Sequence, residues 1–433
     1  MKISIIGTGY VGLVSGACVA DLGHSVISLD KDKTKIRSLS QGKSSIYEPG
    51  LDEILKKNIQ NKRLSFTTSY KIACQADLLI LCIDTPAKKN GEPNLRNLKL
   101  SLKSISTELK KDIFIVTKST VPIGTNQYIK NFFENSTRFK VNIISNPEFL
   151  REGCAVQDFF SPSRIVIGCG SKASRKIMKK LYAPLKLPNQ KFIYMKVQSA
   201  ELTKYAANSF LATKISFINK ISQIAEHANA DIHEIKTGIG SDSRIGNEFL
   251  NAGLGYGGSC FPKDIKALIN IEKKFKIDHS LFSVVEEINN QQFSIFYKKI
   301  IDAIGIQSLK YSSFVIWGLS FKPNTNDVRD SIALRLIHRL ADQVKHLYLY
   351  DPEAIRESFF HLNQYSNITY CKNAYEHMQS ANALILCTEW HEFQNPEIKK
   401  LNSLKDKKIF DGRNFLNKEV IVKAGIEYFG LGK

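Results

Sequence analysis

Apolar and polar positions alternate in blocks along the chain, beginning with a largely apolar run from Lys2 to Ile6 that predicts a short buried strand. A glycine-rich segment follows, and apolar residues then recur at helical spacing over 13–22, up to Gly23. Residues 26–29 form the next apolar run and predict a second strand. Strand, helix and strand in so short a stretch indicate a βαβ unit with parallel strands.

The same alternation recurs in two long stretches that are separated by helical sequence. Further strands are predicted at 78–83, 113–117, 141–145, 164–168, 192–195, 314–319, 346–350, 383–386 and 408–410. Few helix-breaking residues interrupt 199–230 and 281–304, which predict long helices. We therefore expect an α/β protein with two Rossmann-like doubly wound domains joined by a long central helix. The expected domains are residues 1–196, 197–305 and 306–433.

The composition is that of a soluble globular protein, with 433 residues of which 43% are apolar and 24% charged. The formal net charge is +20, but Lys and Arg are spread along the chain without a run of five or more. No nucleic-acid-binding motif accompanies this charge. We expect a basic, solvated surface that also favours an anionic ligand such as a nucleotide. No apolar stretch of about eighteen residues predicts a transmembrane helix, so we expect neither a membrane nor a nucleic-acid partner.

The eight cysteines contain no C-x-x-C pair, and most of them lie in apolar runs. This spacing argues against a disulfide framework and against a zinc site, so we expect no metal. Reduced thiols are typical of the cytoplasm, which is the expected location.

A G-x-G-x-x-G motif, Gly7, Gly9 and Gly12, lies between the first predicted strand and helix, and the second strand ends in Asp30. In this context the glycines permit a tight turn, close approach of a pyrophosphate and close helix–strand packing. The helix N-terminus faces the negative charge. Asp30 is expected to accept hydrogen bonds from the adenosine ribose and to repel a 2′-phosphate, which favours NAD over NADP. Lys35 is a candidate for contact with a cofactor phosphate.

Polar residues follow the predicted strands of the first domain, namely Thr85, Thr120, Glu148 and Glu152. The carboxyl ends of parallel strands meet at one edge of the sheet, where ligands of doubly wound proteins bind. Helix capping explains any one of these residues equally well, whereas four together favour a site.

The long central helix carries Lys204 and Asn208 at i and i+4, on one face. Two polar residues on a largely apolar helix ordinarily form a solvated stripe. The alternative is a buried pair that stabilises an oxyanion or exchanges protons. The helix is also rich in Ile, Phe and Ala, which is typical of a dimer surface.

Four glycines surround a single cysteine, Cys260, in the stretch 253–264, and Lys263 and Asp264 follow it. A thiol on such a loop beside a cation is placed to ionise and attack a carbonyl carbon. The alternative is a buried, inert cysteine, but a lysine and an aspartate are costly to bury without a role. We expect Pro262 to end the turn. A nucleophilic thiol and an NAD site together suggest oxidation through a thiohemiacetal, which loses hydride to become a thioester that water hydrolyses.

Six long motifs extend over nearly the whole chain. They are G-T-G-Y-V-G from Gly7, K-S-T-V-P from Lys118, N-P-E-F-L-R-E-G from Asn146, E-L-T-K-Y-A-A-N-S-F-L-A-T-K-I-S-F-I-N from Glu201, G-Y-G-G-S-C-F-P-K-D from Gly255 and G-L-S-F-K-P-N-T from Gly318. With these motifs the chain resembles the nucleotide-sugar dehydrogenases. The stretch 204–219 favours UDP-glucose as the substrate over GDP-mannose or UDP-N-acetylmannosamine.

The resemblance implies that a homodimer oxidises the sugar C6 hydroxyl to a carboxylate with two NAD⁺ in succession. It implies NAD binding by residues 1–196, the cysteine loop and dimer surface in 197–305, and UDP-sugar binding by 306–433. The catalytic residues it implies are Cys260 as covalent nucleophile, Lys204 and Asn208 at the C6 oxygen, Asp264 in proton transfer, and Thr120 and Glu148 in positioning water, with Glu148 also assisting thioester hydrolysis.

The resemblance also implies two sets of binding residues. The cofactor set is Gly7, Gly9, Val11, Gly12, Asp30, Lys35, Thr85, Thr120, Glu152, Lys263 and Arg329. The substrate set is Glu148, Phe149, Leu150, Arg151, Glu152, Lys204, Asn208, Phe249, Leu250, Asn251, Ala252, Gly253, Gly257, Lys322 and Arg413, with Arg244 reaching across the dimer interface. Two alternatives are a sibling dehydrogenase with another nucleotide sugar and a non-catalytic nucleotide-sugar sensor. The intact set of Cys260, Lys204 and Asp264 argues against the sensor, which needs no nucleophile.

Overall fold

A computed structural model describes residues 1–44, 46–88 and 90–432. Contacts within the chain divide it into two compact units, Met1–Ala207 and Asn208–Lys433. Each unit is built around one sheet whose strands are mainly parallel.

The sheet of the first unit has its strands in the order β3-β2-β1-β4-β5-β6-β7-β8. Their bounds are β1 Lys2–Ile6, β2 Ser25–Leu29, β3 Leu64–Thr67, β4 Leu78–Leu81, β5 Ile113–Thr117, β6 Val141–Ser145, β7 Ile165–Gly168 and β8 Phe192–Met195. All described pairs are parallel except β6 with β7, which are antiparallel. The order reverses between β1 and β4, and this reversal creates the switch point at which doubly wound proteins bind their ligands.

Helices cover both faces of this sheet. They are α1 Tyr10–Asp21, α2 Lys33–Ser40, α3 Leu51–Gln60, α4 Tyr70–Ala73, α5 Arg96–Glu108, α6 Thr125–Ser136, α7 Ala155–Phe160 and α8 Lys172–Tyr182. Within β4, Leu78 and Ile80 join one hydrophobic cluster, whereas Leu79 and Leu81 join another. Successive strand side chains point to opposite faces, so an uninterrupted apolar run is what a sheet covered on both sides requires.

The long helix α9 extends over Val197–His227 and crosses the boundary between the two units in the sequence. It ends three residues before the predicted end because Asn229 adopts a left-handed φ of 55°, which a continuing helix does not allow. Near its start, the Glu201 carboxylate accepts hydrogen bonds from the Gly124 and Asn126 amides at 2.7 and 2.8 Å. These bonds fix the beginning of α6, since the first amides of a helix have no partner within it.

The second unit contains a six-stranded parallel sheet in the order β11-β10-β9-β12-β13-β14. Its strands are β9 Ser313–Trp317, β10 His346–Tyr350, β11 Ile368–Tyr370, β12 Ala383–Leu386, β13 Lys408–Asp411 and β14 Glu427–Phe429. Its helices are α10 Ile232–Gly240, α11 Phe261–Phe275, α12 Leu281–Ile304, α13 Ile306–Leu309, α14 Ile332–Ala341, α15 Ile355–Leu362, α16 Ile398–Leu401 and α17 Lys418–Lys423.

The predicted fold class is confirmed, with two Rossmann-like sheets and a long helix between them in the sequence. The predicted strands are all present, and their ends differ from the prediction by at most two residues. Three short outer strands, β3, β11 and β14, were not predicted. Over the described ranges, no helix is long and apolar enough to cross a membrane.

Candidate active site

The glycine-rich loop lies at the switch point of the first sheet, between the end of β1 and the start of α1. Gly7 has a φ of 99°, and a Cβ there would come within 2.5 Å of the Cys82 carbonyl oxygen. A Cβ on Gly12 would lie 2.0 Å from the Gly7 carbonyl oxygen. Neither position accepts a larger residue, and the amides at the start of α1 stay open to an anion. The backbone therefore fits the pyrophosphate of a dinucleotide.

Asp30, which directly follows β2, is held beside this loop. Its carboxylate accepts hydrogen bonds from the Thr8 amide at 3.0 Å and the Thr8 hydroxyl at 2.7 Å, and Lys35 Nζ lies 3.4 Å away. Burial alone would raise the pKa of Asp30, but the Thr8 hydrogen bonds and the Lys35 charge together lower it below its ordinary value. An ionised carboxylate retains capacity for further hydrogen bonds, so Asp30 fits the role of ribose acceptor.

Three of the polar residues that follow the strands of the first unit, Thr85, Thr120 and Glu148, are held by hydrogen bonds or an ion pair. The Thr85 hydroxyl donates to the Thr120 carbonyl at 2.7 Å, which joins the segments after β4 and β5. Lys204 Nζ lies 3.0 Å from a Glu148 carboxylate oxygen, and both side chains are buried. The other Glu148 oxygen accepts the Leu150 amide at 2.6 Å. Lys204 is thus not part of a solvated stripe.

Two cations of the first unit lie near the ring of Phe149. The Arg164 guanidinium carbon is 3.8 Å from the centre of its ring, and Lys204 Nζ is 5.3 Å away. Burial lowers the pKa of Arg164. Arg151, by contrast, is exposed and pairs with Asp158 at 2.7 Å. Sequence reasoning did not identify Arg164, because the arginine precedes β7 and belongs to none of the quoted motifs.

Cys260 in the second unit is exposed, whereas six of the other seven cysteines are buried and Cys154 is half-buried. It occupies the N-cap position of α11, and Pro262 lies in the first turn of that helix. The glycine-rich turn ends where α11 begins at Phe261, and Pro262 fits this first helical turn because its nitrogen needs no intrahelical partner there. The positive end of a helix stabilises a thiolate.

Asp264 is buried in the first turn of α11 and has two polar contacts. Asn208 Nδ2 donates to its carboxylate at 2.6 Å, and Lys263 Nζ lies 2.5 Å from its other oxygen. Asn208 is buried as well, so it too lies outside any solvated stripe. Lys204 and Asn208, one helical turn apart, thus each contact a buried carboxylate.

A cleft of about 490 Å³ opens in the second unit, against the segment 248–257. Seven residues of the predicted substrate set line it, namely Phe249, Asn251, Ala252, Gly253, Gly257, Lys322 and Arg413. Leu250 is buried beside it. Asn219 of α9 accepts the Gly253 amide at 2.9 Å and so fixes the path of this segment. His233, Lys236 and Glu389 also line the cleft, and sequence reasoning missed them because they lie on segments without a recognised motif.

Arg413 is held firmly in the wall of this cleft. Its guanidinium donates to the carbonyls of Cys387, Gly255 and Phe321 at 2.7, 3.1 and 3.3 Å, and Glu389 lies 3.2 Å away. These contacts set the orientation of a charge that an anionic ligand needs.

Four further residues of the predicted cofactor and substrate sets lie outside the contacts described so far. Arg244 is exposed and pairs with Asp242 at 2.6 Å. Arg329 pairs with Asp327 at 2.6 Å, and its carbonyl accepts the Gly258 amide at 3.1 Å. The side chains of Val11 and Glu152 are half-buried in the first unit.

A glycine loop and Asp30 at the switch point of a doubly wound sheet define the class of dinucleotide-binding α/β proteins. Residues 1–186 match the NAD binding domain, residues 198–291 the central domain and residues 315–418 the UDP binding domain of the UDP-glucose/GDP-mannose dehydrogenase family. The chain therefore belongs to this family of NAD-dependent dehydrogenases.

The similarity to relatives extends over nearly the whole length of each. The protein is 42% identical over 436 residues to the UDP-glucose 6-dehydrogenase TuaD of Bacillus subtilis, covering 100% of this chain and 93% of the relative. It is 39% identical over 439 residues to the UDP-glucose 6-dehydrogenase of Rhizobium meliloti, covering 100% of both. The solved structure of a UDP-glucose dehydrogenase from Pyrobaculum islandicum superposes with a TM-score of 0.90 at 32% identity, covering 99% of this chain and 97% of that one.

Proposed function

We propose that this protein oxidises the C6 hydroxyl of UDP-glucose to a carboxylate and so forms UDP-glucuronate. The observation that carries this proposal is identity of about 40% with UDP-glucose 6-dehydrogenases along the complete chain. Two NAD⁺ accept one hydride each, and one water supplies the second carboxylate oxygen. The alcohol, two NAD⁺ and water thus give the carboxylate, two NADH and three protons.

The second oxidation proceeds through Cys260. Its thiolate attacks the C6 aldehyde, and the new C–S bond makes a thiohemiacetal. Loss of hydride from C6 leaves a thioester, and water then cleaves the C–S bond and restores the thiol. The exposed position of Cys260 at the start of α11 supports this role, because the attacking atom must be both ionised and accessible.

The two buried polar pairs serve different steps. Lys204 and Asn208 stabilise negative charge on the C6 oxygen, and the Glu148 carboxylate 3.0 Å from Lys204 Nζ holds that ammonium group in place. Glu148 and Thr120 position the water, and Glu148 assists hydrolysis of the thioester. Asp264 transfers protons, and its hydrogen bond from Asn208 keeps the two side chains in register.

The cleft of the second unit holds the UDP part of the substrate. The backbone of residues 249–253 contacts this part of the ligand. Gly257 must remain glycine, because a Cβ there would lie 2.2 Å from the Asp330 carbonyl oxygen. Lys322 and Arg413 neutralise the diphosphate. Phe149, Leu150, Arg151 and Glu152 line the sugar, and Val11, Lys35, Thr85, Glu152, Lys263 and Arg329 line the dinucleotide.

The protein acts as a homodimer in the cytoplasm. Phe210, Phe217 and Ile224 are 66%, 51% and 57% exposed on α9, at intervals of seven residues, which place them on one helix face. A second copy of the chain covers this apolar face, and each protomer's Arg244 reaches its partner's substrate. Residues 1–196, 197–305 and 306–433 form the NAD-binding, central and UDP-sugar-binding domains.

The test is an absorbance assay for NADH with a panel of UDP-glucose, UDP-N-acetylmannosamine and GDP-mannose. Two NADH per UDP-glucose, and little from the other sugars, is the expected result. Turnover of another sugar instead would identify a sibling dehydrogenase. Tight binding of UDP-glucose without NADH formation would identify a sensor.

A further inference from the structure

Glu48 is a buried carboxylate of the first unit with no role in the chemistry described above. It is only 6% exposed, and it precedes α3, whose Leu51 amide bonds to the Glu48 carbonyl at 3.1 Å. Leu51 and Leu55 are fully buried in the core of this unit. The backbone that carries Glu48 is therefore anchored by packing. Carboxylates are rarely buried without a specific set of partners.

The partners of Glu48 come from two separate segments, the start of α1 and the stretch that leads into α7. One oxygen accepts the hydroxyl of Tyr10, the residue with which α1 begins within the G-T-G-Y-V-G motif, and the Gly153 amide at 2.6 Å. The other oxygen accepts the Val156 amide at 3.2 Å. The Gly153 amide also donates to the Tyr10 hydroxyl at 2.9 Å. Tyr10, Glu48 and Gly153 thus form a closed triangle of hydrogen bonds.

This triangle spans the distance between the dinucleotide loop and the segment that begins at Glu148. Gly153 has a φ of 80° where that segment turns into α7, and Glu152 directly precedes it. Burial raises the pKa of Tyr10, and its hydrogen bond to Glu48 adds to this effect. The phenol therefore stays protonated and remains a hydrogen-bond donor.

We propose that Glu48 is a positioning residue that joins the glycine-rich dinucleotide loop to the loop carrying Glu148 and Glu152. By fixing Tyr10, it holds the first turn of α1 in the geometry that receives the pyrophosphate. By accepting the amides of Gly153 and Val156, it fixes the end of the second loop. The inference depends on the NAD site alone and is independent of which sugar is oxidised.

The direction of the change in NAD⁺ affinity distinguishes a positioning role of Glu48 from a purely electrostatic one. Removal of a negative charge near an anion site strengthens anion binding when only long-range charge matters. Loss of a buried charge-assisted hydrogen bond that orders the loop weakens binding instead. Glu48→Gln keeps the shape of the side chain, so the direction of the change in NAD⁺ affinity is decisive.

The experiment measures Kd for NAD⁺ and for UDP by calorimetry on the full-length protein. For Glu48→Gln we expect NAD⁺ to bind about tenfold more weakly or worse, with UDP affinity within twofold of the parent, since UDP binds the second unit. Tyr10→Phe removes only the hydroxyl and is expected to weaken NAD⁺ binding less. Glu53→Gln is the matched control, because Glu53 is an exposed glutamate of α3.

A double-mutant cycle completes the test. Because Tyr10 and Glu48 share one hydrogen bond, the double variant should lose less NAD⁺ affinity than the two single losses combined. The proposal is overturned by unchanged or tighter NAD⁺ binding in Glu48→Gln, or by additive losses in the cycle. Equal weakening of NAD⁺ and UDP binding would also overturn it, since that result indicates general destabilisation of the fold.

Discussion

Lys204 and Glu148 form a buried ion pair, with 3.0 Å between the ammonium nitrogen and a carboxylate oxygen. The two residues come from different elements, the central helix and the segment after β6. Breaking such a pair by neutralising one member is costly, because the other charge is left buried without compensation. The pair therefore links the proposed hydrolysis step to the proposed oxyanion site.

Neutralising the Glu148 carboxylate should slow hydrolysis of the thioester without preventing the oxidation that forms it. For Glu148→Gln we expect kcat to fall about 100-fold or more, with the thioester accumulating on Cys260. Mass spectrometry of the intact protein, after mixing with UDP-glucose and NAD⁺, measures the covalent adduct. The surface pair Lys130–Glu134, 3.8 Å apart, offers a matched control: Glu134→Gln should retain parental kcat. If Glu148→Gln is slow but no covalent adduct accumulates, Glu148 acts in a step before the thioester forms.

Thiol labelling should be confined to the exposed cysteine. Burial raises the pKa of Cys82 and of Cys387 to about 12, so these thiols are almost entirely protonated near pH 7. Iodoacetamide is therefore expected to modify Cys260 first and to abolish activity in step with that modification. Peptide mass spectrometry at several times measures the order of labelling. Cys260→Ala should bind UDP-glucose but form no UDP-glucuronate. Full turnover by this variant would show that Cys260 is not the nucleophile.

Cofactor selectivity should depend on Asp30. Asp30→Ala removes the ribose acceptor and the charge that repels a 2′-phosphate, so KM for NAD⁺ should rise about tenfold and that for NADP⁺ should fall. Because the pKa of Asp30 is lowered, the parental preference should persist unchanged from about pH 9 to pH 5, above the ordinary aspartate pKa.

A neighbouring aspartate serves as the control for this experiment. Asp32 caps α2 by accepting the Lys35 amide at 3.0 Å. Asp32→Ala should cost about 1 kcal/mol of stability and leave the ratio of NAD⁺ to NADP⁺ use unchanged. An equal shift in that ratio in both variants would mean that Asp30 has no specific part in selectivity.

The apolar face of α9 should be required for dimerisation. Phe217→Asp places a charge on a surface that the proposed partner buries, which is costly when the charge is unpaired. We expect the variant to be largely monomeric by sedimentation at micromolar concentration. Phe360, 68% exposed on α15, lies outside this face, and Phe360→Asp should leave the mass unchanged. A parental protein that is already monomeric would exclude the dimer.

Arg244 should act in the partner's site. If so, Cys260→Ala and Arg244→Ala, each inactive or nearly so alone, should regain activity when mixed, dissociated and reassociated. Each mixed dimer then contains one site with both an intact thiol and an intact arginine. The measurement is NADH formation after mixing in equal amounts, and the absence of any recovery would mean that Arg244 acts within its own chain.

The sequence was sufficient for the fold class and for most strands, but not for the outer strands or for every partner in the site. Continuous apolar runs such as Leu78–Leu81 predict buried parallel strands because both of their faces need cover. Outer strands such as Glu427–Phe429 are short and partly polar, and they were missed. The i, i+4 spacing placed Lys204 and Asn208 on one helix face. That they contact two different carboxylates, Glu148 and Asp264, depends on tertiary packing, which no local pattern encodes.

The position of Cys260 at the beginning of α11 has a consequence under oxidative stress. A solvent-accessible thiol at the N-terminus of a helix also reacts with hydrogen peroxide. The first product, a sulfenic acid, can be reversed by small cellular thiols, whereas the higher oxides are permanent. Synthesis of acidic sugar would then pause during a peroxide burst and resume as reductant recovers, without any change in the amount of protein.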